Sequence, residues 1–249
     1  MANLDSLALS ASLDGVLLVD KPLNIATHDV VKAVKQHFNL VKIGHGGTLD
    51  PNATGLLVLL LGNATRLSAD IMGRNRAYEA CVRFGRATNT GDAQGEVLKE
   101  QAVDALTRED VEAAVRRDFL GDVFQKPPAF SVIKMPAHVS YDIVPTDEKE
   151  RTDRLVHVFR MAVTAFEPPC ARFDLLSTKG VCVRALADDL GRALGCGASL
   201  ETLRRTACGA FSVTEAIGFM ELLKLEPAAF RARVLPMETL GLGGGACAR

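Results

Sequence analysis

Three glycines precede one acid in the segment Gly44-His45-Gly46-Gly47-Thr48-Leu49-Asp50-Pro51. Glycine gives the backbone access to positive φ, and Pro51 biases Asp50 toward extended geometry, so a carboxylate is held on a tightly specified turn. Presented that way, an ionised carboxylate can attack carbon or take up a proton, or it can simply accept hydrogen bonds from turn amides; the turn alone favours the last. The glycines do not read as a phosphate cradle, because the segment lacks the Lys-Ser/Thr ending of a P-loop and the spaced glycines of the dinucleotide fingerprint. His45, five residues before Asp50, could hydrogen-bond a ligand or serve the turn itself.

Bulk properties set wide bounds around this turn. Lys and Arg number 29 against 30 Asp and Glu, so net charge gives no signal for a polyanionic partner, although positive charge can still gather on one face. The six cysteines are widely dispersed, with no close pair of the kind that opens a zinc site, and the N-terminus lacks the pattern of a secretory signal. A reduced, cytoplasmic protein without a metal is expected. Apolar runs such as Gly55 to Leu61 are too short to cross a bilayer.

The elements that must position Asp50 follow from periodicity. Val16-Leu17-Leu18-Val19 reads as a buried strand that stops at Asp20-Lys21-Pro22, and Val30, Val31 and Val34 place a helix over residues 27–37, capped by Thr27 or Asp29. The run Leu56 to Leu61 is a second buried element. A short helix over residues 65–73, a strand over 74–84 bearing Tyr78, and a loop over 88–95 follow. Thr107, with Asp110 three residues on, caps a helix containing Val111, Val115 and Phe119.

From Gln125 to about Asp153, prolines, charges and weak periodicity imply an extended excursion of the kind often used for binding. Strands over 156–165 and 171–176, a helix over 184–194, a short helical or turn segment over 200–205 and a helix near 220–225 complete the chain. Helices and strands alternate unevenly, which predicts a mixed α/β domain and not a regular parallel βαβ fold.

The segment Gly44 to Pro51, extended by Asn52-Ala53-Thr54-Gly55, strongly resembles the signature of the TruB family of tRNA pseudouridine synthases. Gly15-Val16-Leu17-Leu18-Val19-Asp20-Lys21-Pro22 resembles the family's opening motif, Arg76-Ala77-Tyr78 its tyrosine motif, and Gln125-Lys126-Pro127-Pro128-Ala129-Phe130-Ser131, with Lys134, the start of its RNA-clasping insertion. Ser177 to Leu186, then Asp189-Leu190-Gly191 and Leu203-Arg204-Arg205, resemble its later motifs. The matches run in order from about residue 14 to residue 215.

The resemblance implies a pseudouridine synthase fold, with a mixed, mainly antiparallel central sheet and flanking helices. It implies an arm at 1–13, a catalytic domain at 14–215 with an insertion at about 124–153, and a C-terminal extension at 216–249 lacking a full additional RNA-binding domain. Asp50 becomes the catalytic aspartate, Arg184 the guanidinium that pairs with it, Tyr78 the ring that stacks on the uracil and assists proton removal, His45 an RNA contact, and Leu203 the apolar residue beneath the base. Lys21 and Pro22 support the turn. Lys126, Lys134, Arg204 and Arg205 are RNA contacts, within a wider basic set that includes Lys32, Lys35, Lys42, Arg66, Arg74 and Arg76.

The reaction so implied isomerises a T-loop uridine of tRNA and needs no cofactor, since product and substrate are isomers. The expected partner is the tRNA T-arm, with no membrane and no obligate protein partner. Two residues depart from the pattern: Cys182 stands where the family usually has an aromatic side chain, and Pro136 replaces part of a polar, glycine-containing stretch. The rival reading is a non-catalytic RNA-binding and tRNA-folding factor; an unrelated aspartate hydrolase would need a partner acid, base or metal that the sequence does not offer.

Overall fold

The computed structural model describes residues 13–126 and 154–240. Residues 1–12 of the N-terminal arm, most of the insertion at about 124–153 including Lys134 and Pro136, and residues 241–249 lie outside the described residues. The chain divides into two compact units, residues 1–74 with 206–249, and residues 75–205.

In the first unit, β1 (Gly15–Lys21) leads to α1 (Thr27–His37), then β2 (Ile43–His45), β3 (Ala53–Leu61), a 3-10 turn over Gly62–Leu67 and α2 (Ser68–Gly73). β3 pairs antiparallel with β1, from Leu61 opposite Gly15 to Gly55 opposite Lys21, and with β2, which sets His45 opposite Leu59. Residues 46–52 are thus the loop of a β2–β3 hairpin. Along β3, Leu57, Leu59 and Leu61 join an apolar cluster with Leu17, Val19, Val30 and Val34, while Leu56, Val58 and Leu60 join another with Val16, Leu18 and Ile71. A strand covered on both faces needs unbroken apolar sequence, which explains the aliphatic run; burying each such side chain contributes roughly 2 kcal/mol.

The second unit is built on β4 (Arg76–Phe84), a β5–β6 hairpin (Arg86–Thr88 and Val97–Glu100), α3 (Arg108–Asp118), β7 (Gly121–Gln125), β8 (Arg154–Glu167), β9 (Cys170–Ser177), α4 (Val183–Ala193) and β10 (Ala198–Cys208). Its sheet is ordered β10-β4-β9-β8-β7, with β4–β9, β8–β9 and β7–β8 antiparallel. Tyr78, Ala80, Val82 and Phe84 alternate inward from β4 onto a core shared with Val111 and Val115 of α3 and Leu186 and Leu190 of α4. Thr107 and Asp110 form the expected capping box at the start of α3. Phe124 and Gln125, assigned from sequence to the insertion, belong to β7.

Residues 200–205 are not helical: they lie within β10. Leu-Glu-Thr-Leu-Arg-Arg favours a helix locally, but hydrogen bonding to β4 overrides that preference. Gly191 permits the turn before this strand, because a Cβ there would fall 2.0 Å from the Ala198 backbone nitrogen.

The chain then returns to the first unit through β11 (Phe211–Ser212), β12 (Ile217–Gly218), α5 (Phe219–Leu222) and α6 (Pro227–Arg233). β12 runs parallel to β1, with Val19 opposite Ile217. The architecture is therefore α/β with a mixed, mainly antiparallel sheet and flanking helices, as expected.

Candidate active site

Asp50 lies in the β2–β3 loop with its side chain half-buried. Gly46 N–H donates to Val58 O at 2.8 Å, and Ala53 N–H donates to Asp50 O at 3.0 Å, so both ends of the loop are closed. Only Gly47 among the three expected glycines takes a positive φ, 141°. Gly46 is required for space instead: a Cβ there would meet Ile71 Cγ2 at 2.1 Å.

The residues on either side of Asp50 are tied down by side chains far away in sequence. Lys21, fully buried, directs its ammonium to the carbonyls of Pro22 and Ile25 at 2.8 Å and of Pro51 at 3.2 Å, three acceptors for three donors. Asn24 N–H reaches the same Pro51 carbonyl at 2.9 Å. Thr27 Oγ1 donates to Leu49 O and accepts from Leu49 N–H, each at 2.9 Å. Thr27 is therefore not the cap of α1; Ala26 holds that position without a side-chain bond. Its hydroxyl instead clamps the residue before the acid.

Lys21→Met keeps much of the stem but removes the ammonium from the carbonyls of Pro22 and Ile25 and leaves Pro51 O to Asn24 N–H alone. It is expected to lower unfolding free energy by about 3 kcal/mol, read from urea denaturation. A change below about 1 kcal/mol would show that the ammonium does not brace this loop.

His45 is half-buried, and its Nδ1 accepts from Gly47 N–H at 3.3 Å, which in a neutral ring assigns the proton to Nε2. Its ring is thus oriented by the turn that carries the acid.

In the second unit, Tyr78 is opposite Leu175 and only 6% exposed, and its ring belongs to the core cluster against which half-buried Leu203 packs. Arg184 is the second residue of α4. Its Nη1 donates to Thr90 O at 3.1 Å, and its Nε lies 4.0 Å from Asp92 Oδ2, at ion-pair distance but beyond a hydrogen bond. Asp92 is itself fixed, accepting from Thr90 Oγ1 at 2.7 Å and from Gln94 N–H at 3.1 Å. The loop is anchored to β10 by Leu200 N–H on Gly91 O at 2.9 Å and Ala93 N–H on Leu200 O at 3.0 Å.

Sequence reading placed Asp92 in a loop without giving it a role. The available signal is the run Thr88 to Asp92, in which the Thr90 hydroxyl donates to the Asp92 carboxylate and the Thr88 hydroxyl to the Asp92 carbonyl. Cys182, half-buried, forms the N-cap of α4 and makes no side-chain cap bond.

Among the RNA contacts inferred from resemblance, Lys126 is exposed and Arg204 half-buried. Arg205 is 2% exposed and Arg76 6%, so these two guanidiniums are interior groups and not members of an open phosphate-facing surface. Among the described residues, no group of three or more His, Cys, Asp and Glu side chains is arranged to hold a metal ion, and no helix is long and apolar enough to cross a membrane.

Residues 35–183 match the family model described as TruB family pseudouridylate synthase (N terminal domain), and residues 184–240 match that described as tRNA pseudouridylate synthase B C-terminal domain. The tRNA pseudouridine synthase B of Chromobacterium violaceum is 41% identical over 229 residues, covering 92% of this chain and 74% of that protein. That of Opitutus terrae is 41% identical over 226 residues, covering 90% of this chain and 93% of that protein. A solved H/ACA ribonucleoprotein bound to a substrate RNA containing 2′-deoxyuridine aligns with a TM-score of 0.69 and 25% identity over 91% of this chain, which spans 60% of that solved chain.

Proposed function

The chain belongs to the TruB family of pseudouridylate synthases, and from that premise we propose that it isomerises a T-loop uridine of tRNA to pseudouridine, with Asp50 as the catalytic carboxylate. The observation that carries this reading is the turn itself: Leu49 and Pro51 are locked by Thr27, Lys21 and Asn24, while the carboxylate between them stays half-exposed. Such a frame keeps a charged group in one orientation toward a substrate.

The chemistry balances without a cofactor. The bond from ribose C1′ to uracil N1 breaks, the base turns, a C1′–C5 bond forms, C5 gives up its proton and N1 gains one. The ionised Asp50 assists the first step, either by attacking C1′ or by initiating glycal formation. Tyr78 stacks on the displaced base and assists proton removal from C5. Arg184 supplies the permanent positive charge that the resemblance pairs with the aspartate. A uridine inside folded RNA must leave its stack to be reached, so His45 and Leu203 are assigned to holding the extruded nucleotide.

Residues 14–215 are assigned to catalysis and the 124–153 insertion to clasping RNA, with Lys126, Lys134 and Arg204 contributing charge. A cytoplasmic location, beside tRNA, belongs to the same reading.

If shape and loop contacts of the T-arm select the site, an isolated T-arm hairpin is expected to be converted at the uridine modified in intact tRNA, and an anticodon hairpin not at all. Equal conversion of both hairpins would remove the T-arm from the proposal.

A further inference from the structure

The helix that carries Arg184 begins without the usual help. The first turn of any helix leaves backbone N–H groups without intrahelical partners, and Ser, Thr, Asp or Asn at the N-cap ordinarily takes one. In α4 the N-cap is Cys182, its side chain makes no cap bond, and the first turn has no acidic residue.

A side chain from another strand instead holds the N-cap residue by its own backbone. Gln125, the last residue of β7, is 1% exposed. Its Oε1 accepts from Cys182 N–H at 3.0 Å, and its Nε2 donates to Cys182 O at 3.0 Å. The N-cap amide is thus held as the Glu or Gln of a capping box would hold it, but across 57 residues of sequence. The same Cys182 carbonyl also accepts from Leu186 N–H at 3.1 Å, so the amide grips the group that starts the helix.

We propose that Gln125 is a positioning residue for Arg184: its primary amide fixes the origin of α4, and thereby where the guanidinium two residues on is delivered. The inference rests on the assignment of Arg184 to the reaction. Gln125 then holds the backbone of α4, and the Thr90–Asp92 loop holds the Arg184 side chain. Removing the first hold leaves Arg184 present and charged but loosely aimed, which affects bond making more than RNA binding.

The test uses Gln125→Leu, which fills the same buried volume without either hydrogen bond, beside Gln125→Glu, whose carboxylate can accept from Cys182 N–H but opposes the Cys182 carbonyl. Val163→Ala, a core change on β8, controls for lost stability. Both Gln125 variants are expected to lose about 10-fold to 100-fold in kcat, with KM within about twofold of wild type, while the control keeps its kcat. Amide exchange at Cys182 and Leu186, whose N–H groups bond Gln125 and the Cys182 carbonyl, is expected to accelerate about tenfold or more in Gln125→Leu only.

Unchanged exchange in Gln125→Leu would overturn the proposal, as would a kcat loss matched by the control. Should wild type convert no tRNA, the assignment of the site fails, and the exchange measurement alone still decides whether Gln125 fixes α4. Active wild type with unaffected Gln125 variants would remove this inference and leave the site intact.

Discussion

Asp50→Asn is expected to yield a folded protein that binds tRNA and loses at least about 10³-fold in single-turnover rate. Asparagine keeps the size of the side chain and an acceptor oxygen but removes the charge that either route of glycosidic cleavage uses. The loop should survive the change, because its braces grip the backbone of Leu49 and Pro51: Thr27 holds the former, and Lys21 with Asn24 holds the latter. Rate and affinity are therefore expected to separate, with tRNA binding within about threefold of wild type in a filter assay. A rate within about tenfold of wild type would mean that Asp50 is only a turn residue, the role its local sequence first suggests.

The second large effect is expected at Arg184, where preserving charge should not preserve function. Arg184→Lys is predicted to lower kcat by about 10²-fold or more. Arginine addresses two partners at once, with Nη1 on the Thr90 carbonyl and Nε facing Asp92 at 4.0 Å. The hydrogen bond to Thr90 and the nearby Asp92 carboxylate together bias the orientation of the guanidinium. An ammonium is a point charge on a flexible stem and cannot reproduce the fork. Turnover of Arg184→Lys within about threefold of wild type would show that charge alone suffices at this position.

Much of this site was legible in sequence because its residues are adjacent or carried by recognisable motifs. The turn around Asp50 was readable from glycine and proline chemistry, and the run Leu56 to Leu61 announced a buried strand because both its faces are covered. What stayed hidden depends on partners that only folding brings together. Thr27 at the start of a helix looks like a cap, and nothing local reveals that its hydroxyl is committed to Leu49. Gly46 suggests unusual φ, whereas its real constraint is the neighbouring Ile71 side chain.

The same reasoning explains two other differences. Residues 200–205 carry helix formers yet form a strand, because the neighbouring β4 supplies hydrogen bonds that local propensity does not anticipate. Gln125 and Cys182 read as the edge of an insertion and as a departure at an aromatic position; their mutual hydrogen bonds connect points 57 residues apart. Cys182 lacks the stacking surface of an aromatic ring, but its backbone starts the Arg184 helix.

The most direct measurement maps pseudouridine at nucleotide resolution in unmodified tRNA incubated with wild type and with Asp50→Asn. Conversion of one T-loop uridine by wild type, and none by the variant, is the predicted outcome. Equal conversion by both proteins, or RNA remodelling by both without any pseudouridine, would contradict the assignment of Asp50 as the catalytic group.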